Sequence, residues 1–151
     1  MNAKAGIISL LQAAYSGYTP PVLPGANHTA AQLQTLCGHR ACDTVLPRGY
    51  QLPAVVVHQY GGTQGYELDG PDNMNDGQIQ LDAYGVTPAS TQQLADALED
   101  YFINFIGPLP DGSQVSACFL ERRMDMPFES ATDRSGISYR TMLGFRVVAQ
   151  R

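Results

Sequence analysis

Tryptophan is absent from this sequence of 151 residues, lysine occurs once, and cysteine occurs three times. Cys37, Cys42 and Cys118 are too few and too irregular for the disulfide framework of a small secreted scaffold. No stretch approaches the roughly 20 apolar residues of a membrane-spanning helix. Met1 to Leu11 also lacks the cationic start, long apolar run and cleavage site of a secretory signal. Together these absences predict synthesis in a reducing cytoplasm with free thiols. Basic charge is missing from the middle of the chain: between Gly49 and Glu121 there is neither Lys nor Arg, against ten acids. From Arg122 onward six arginines stand against three acids, within a net charge of −5. Tight nucleic-acid binding needs a basic stripe and a largely basic domain, so the composition argues against it. An acidic middle and a basic end suit a subunit that docks on its own copies.

What is present fits one domain over residues 1–151, in which about 70% of the unfolded surface can be buried. Ala5 to Ala14 reads as a first helix and Thr29 to Leu36 as a short second one, separated by a stretch rich in Pro and Gly. Leu52 to Tyr60 is a continuous β-branched run, and Gln78 to Tyr84 alternates with a period of two. Gly61 to Gly77, rich in Gly, Asp and Asn, is expected to be a loop or a wide hairpin connection, mobile in the free subunit. Pro88 to Ile106 carries a helical stripe of Leu94, Leu98, Tyr101, Phe102 and Phe105, with Thr87, or Ser90 with Gln93, at its start. Val115 to Leu120 and Ile137 to Ala149 read as the closing strands. The order predicts an α+β fold: a mostly antiparallel sheet of about four strands, with the long helix and the N-terminal helix packed on one face. Val55, Val57, Ile79, Leu81, Leu94, Leu98, Phe102, Phe119, Leu143 and Phe145 are the expected core.

Three groups of residues offer chemistry. Cys37, His39 and Cys42 are zinc-type ligands, with His28, His58 or Cys118 as a fourth, but their spacing is irregular. Asp69, Asp72 and Asp76 supply oxygens without the alternating ligand positions of a calcium loop. Cys118 and His58 could form a nucleophile–base pair if their strands met, yet no orienting acid or oxyanion hole accompanies them. Gly61-Gly62-Thr63-Gln64-Gly65 lacks the Lys and the following helix of a phosphate cradle. The expectation is a protein without catalytic residues, cofactor or metal.

The order and spacing of several pieces resemble the tail completion, or tail terminator, proteins that join tail to head in long-tailed phages. The pieces are Leu46-Pro47, Leu52-Pro53-Ala54-Val55-Val56-Val57, Gln78-Ile79-Gln80-Leu81-Asp82-Ala83-Tyr84, Leu94-Ala95-Asp96-Ala97-Leu98, Phe119-Leu120, Tyr139-Arg140 and Val147-Val148. The segment 17–34 departs from the pattern as a Pro- and Gly-rich insertion. The resemblance implies a structural virion protein in the tail or neck, made in the host cytoplasm. Such a subunit forms a ring, often a hexamer, that caps the tail tube and meets a head–tail connector or neck protein. DNA would only pass through the ring lumen, and no membrane is involved. A head–tail stopper or a tube-associated protein is the alternative within that class; a small metal- or ligand-binding domain built on Cys37 to Cys42 is the alternative outside it. For the subunit interface, Arg122, Arg123 and Arg146 are the expected donors, and Asp96, Glu99 and Asp100 the expected acceptors.

Overall fold

The computed structural model describes residues 3–47, 50–67, 70–130 and 137–150, with 62–67, 70–75, 126–130 and 137–138 described as backbone. In chain order the elements are α1 (Ala3–Gln12), α2 (Ala30–Leu36), β1 (Ala41–Asp43), β2 (Ala54–Glu67), β3 (Gly70–Gly85), α3 (Pro88–Ile103), β4 (Gly107–Pro108), β5 (Gln114–Ser130) and β6 (Ile137–Gln150). The strands form one six-stranded sheet in the order β1-β2-β3-β6-β5-β4. All neighbours are antiparallel except β1 and β2, which run parallel. The expected α+β fold is therefore present, with two short edge strands beyond the four expected and one parallel pair. Three residues in β1 and two in β4 are too short to leave a periodic signature in sequence.

The helices take one face of the sheet because each strand alternates. Val55 and Val57, Ile79, Leu81 and Ala83, and Leu143, Phe145, Val147 and Ala149 form a continuous core with Leu94, Leu98, Tyr101 and Phe102 of α3. Burying such side chains stabilises by about 1.5–3 kcal/mol each. At its start α3 is held by a capping box in which the Thr87 hydroxyl accepts from the Ser90 amide and the Ser90 side chain accepts from the Thr87 amide. The box thus sits on Thr87, three residues before the Ser90–Gln93 alternative. At the other end the helix stops at Ile103, one turn short of the expected Ile106. In α1, Gly6 lies under the turn after β4: an added Cβ would meet Asp111 Oδ1 at 2.7 Å and the Leu109 Cβ at 2.9 Å. Close approach, not backbone freedom, explains that glycine.

Two expectations are corrected. The segment 61–77 is not a loop where it is described, because β2 continues to Glu67 and β3 begins at Gly70. Gly and Asn depress strand propensity, but the ladder carries on through two register shifts, at Gln59/Gly61 and Gln64/Tyr66. Phe119 is not core; it is 53% exposed. A bulge between Val115 and Ala117 shifts the alternation by one residue, so Cys118 faces the helices and Phe119 faces away.

Candidate functional site: the outer face and edges of the sheet

The face turned away from the helices holds a buried polar cluster built by alternation on β2, β3 and β6. Asp82 is fully buried. Its Oδ2 accepts from Arg140 Nη2 at 2.9 Å and lies 3.0 Å from His58 Nε2, and its Oδ1 accepts from Gln80 Nε2 at 2.8 Å. The Arg140 guanidinium sits 5.7 Å from the Tyr84 ring centre. Beside this cluster, Cys42, Val56 and Tyr84 form a small second core under Leu46, Tyr50 and Leu52. A buried carboxylate costs several kcal/mol unless paired and hydrogen-bonded, and Asp82 has both kinds of partner.

A His–Asp couple also forms the orienting half of a nucleophilic triad. Cys42 shares this face, but burial pushes its thiol up, with a hydrogen bond from Tyr50 only partly offsetting it, which is the opposite of activation. Cys118, the nucleophile suggested by sequence, lies on the helix face of β5, with β3 and β6 between it and β2, and burial pushes its thiol up to about 12. The geometry does not bring Cys118 and His58 together. Nor does it gather the zinc-type residues: Cys37 packs in the main core and Cys42 in the second. Among the described residues no group of three or more Cys, His, Asp or Glu is placed to hold a metal ion. Asp69 lies outside the described residues, Asp72 is described as backbone only, and Asp76 is paired with Arg146.

The expected interface residues fall into three situations. Arg123 is on the helix face of β5 and grips α3 within the same subunit. Its Nη1 donates to Glu99 Oε2 at 2.6 Å, and its Nη2 lies 2.6 Å from Gln92 Oε1 and 2.8 Å from Asp96 Oδ1. Burial works against its charge, but these two carboxylates outweigh it and raise its pKa. Asp100 turns the other way, to the segment before α2. Its Oδ2 accepts from the amides of Asn27 and His28, at 2.8 and 3.0 Å, and lies 2.9 Å from His28 Nδ1. On the outer face, Arg146 Nε donates to both carboxylate oxygens of Asp76 at 2.8 Å, and its Nη2 adds a further bond to Oδ2. Arg122 is exposed on the outer face and has no partner among the described residues.

Sequence reasoning missed the apolar content of this outer face. Tyr60 is 50%, Phe119 53% and Met124 44% exposed. The signal for Phe119 was hidden by the bulge at Val115/Ala117, which reverses the inward and outward positions after it, and Met124 lies beyond the strand read from sequence as Val115 to Leu120.

No family model matches the sequence, and no curated protein matches it. Among solved structures, the fold is similar to that of a chain from "Virion of native gene transfer agent (GTA) particle". The two share 20% identity over 80% of this chain and 86% of the other, with a TM-score of 0.52. At that identity the likeness establishes the fold.

Proposed function

We propose that this chain is a non-enzymatic structural protein of a phage-like virion, acting as a single domain that assembles into a ring, capping the head-proximal end of a tail tube and joining it to the neck. The observation that carries the reading is the shared fold, over four fifths of the chain, with a component of a gene transfer agent virion. The arrangement of the polar residues supports it. His58 and Arg140 are both engaged by the Asp82 carboxylate, and the thiols are buried, so the described residues form no activated nucleophile.

In this reading the ring is a hexamer and its partners are the tail tube protein on one side and a head–tail connector on the other. Of the three arginines, Arg122 is the one left to face a neighbour, while Arg123 and Arg146 serve mainly inside the subunit. Asp96, 65% exposed on its side chain, is the acceptor most open to a neighbour. Such rim pairs tune register and association rate at about 0.2–1 kcal/mol each.

The test is deletion of the coding sequence from a particle-producing strain, followed by electron microscopy. Separate heads and tails, or tails of unregulated length, are expected. Joined particles of normal length would overturn the reading. Joined heads that leak their DNA would favour the head-side stopper instead.

A further inference from the structure

The sheet has two long open edges. β1 covers β2 only at Val55, Val56 and Val57, where the Thr44 amide also donates to the Val57 carbonyl at 3.0 Å. From His58 to Glu67, β2 pairs with β3 on one side and, among the described residues, has no strand on the other. β4 covers β5 only at Gln114 and Val115, so among the described residues Ser116 to Ser130 has β6 as its one neighbouring strand. An uncovered edge presents a row of amide donors and carbonyl acceptors that templates pairing with another strand. The large exposed apolar side chains that lie in described strands sit on these same two strands and on one face: Tyr60 on β2, Phe119 and Met124 on β5. Bulges and the exposed Glu121 and Arg122 on β5 discourage indiscriminate pairing and favour a partner of matching shape.

We propose that these edges join copies of this chain, with β2 of one subunit adding to β5 of the next so that the sheet runs without a break around the ring. The strand directions carry the argument. β2 and β3, β3 and β6, and β6 and β5 are each antiparallel, so β5 runs opposite to β2. Rotation about a ring axis preserves the sense of every strand relative to that axis. The β5 edge of a rotated copy therefore meets β2 antiparallel, the better-aligned and more stable geometry. The two edges are different surfaces at opposite ends of one sheet, which makes the contact heterologous and able to close a ring. Main-chain bonds supply the affinity, and Phe119 and Met124, exposed on β5, supply the apolar contact that charge pairs cannot; Tyr60 lies across its own sheet, its hydroxyl 3.5 Å from where a Gly144 Cβ would stand. The inference rests on the ring reading above.

The experiment is hydrogen exchange on the wild-type chain across a concentration series, read with sedimentation, and repeated on Phe119→Glu. Phe119 is half exposed, so this variant keeps its monomer melting curve. Assembly is expected to slow exchange at least tenfold in peptides covering 58–67 and 116–125, and Phe119→Glu to raise the dissociation constant at least tenfold. A ring whose two edges exchange as fast as in the monomer overturns edge pairing and leaves the ring standing. Protection of β5 alone, in a two-fold dimer, overturns the β2–β5 pairing together with the ring. A chain that stays monomeric throughout overturns both.

Discussion

Arg123 on β5 and Asp96 on α3 lie 2.8 Å apart within one subunit, with Glu99 one turn further along the helix and 2.6 Å from the same guanidinium. The separation of acids and arginines along the sequence is thus partly resolved inside the fold. Charge segregation in sequence is not the same as charge segregation on a surface.

Replacing Arg123 by Ala is expected to destabilise the monomer by about 1 kcal/mol, since the pair is partly buried and made by both arms of the guanidinium. Chemical denaturation of the variant measures this. Replacing Arg122 by Ala should leave the same curve within about 0.5 kcal/mol, as for an exposed residue with no partner among the described residues. Equal losses from the two would show that Arg123 does not hold the helix to the sheet.

Leu98 is fully buried between α3 and the sheet. Truncation to Ala should cost about 2–5 kcal/mol, combining lost transfer energy with the cavity left behind. A urea midpoint that barely moves would mean that α3 packs differently.

Asp100 yields a pH prediction. Burial alone would raise its pKa, but the hydrogen bonds from His28 and Asn27 outweigh it and hold the carboxyl below the ordinary range. A carboxyl depressed in the folded state binds protons less readily than in the unfolded chain. Its contribution is therefore complete above the unfolded value of about 3.9 and declines as pH falls through the lower folded value. Melting temperatures between pH 2 and pH 6 should fall more steeply for the wild type than for Asp100→Asn. Parallel slopes would remove the linkage.

Cysteine chemistry offers a fourth check. All three thiols are buried, with Cys118 pushed up to about 12 by burial. Thiolate is the reactive form, so the native protein should resist alkylation at pH 8 while the denatured chain takes up three labels. Mass spectrometry counts them; rapid labelling of Cys118 in the folded protein would contradict its burial on the helix face.

The periodic elements were legible in the sequence because their patterns are long. The stripe of Leu94, Leu98 and Phe102, the β-branched run with Val55 and Val57, and the alternations through Ile79 and Leu81 and through Leu143 and Phe145 place nine of the ten expected core residues. Phe119 failed because a single unpaired residue reverses a period-two pattern without altering composition. The 61–77 segment failed for a related reason, its Gly and Asn content reading as turn although the partner strand keeps the ladder going. At the interface residues, sequence supplied charge but not direction: Arg122 and Arg123 are adjacent and point to opposite faces of one strand.

The bulges in β5 also bear on how this chain can change length. Ser116 and Glu121 are the residues passed over where Val115 and Ala117 oppose Ala149 and Val148, and where Leu120 and Arg122 oppose Phe145 and Gly144. Removing either would convert a bulge into regular ladder while every later side chain kept its side of the sheet. Arg123 would still reach α3 and Phe119 would still face outward. At these two points the strand can lose a residue without its register propagating the change, so the length of β5 is free to drift there while the helix contacts stay fixed.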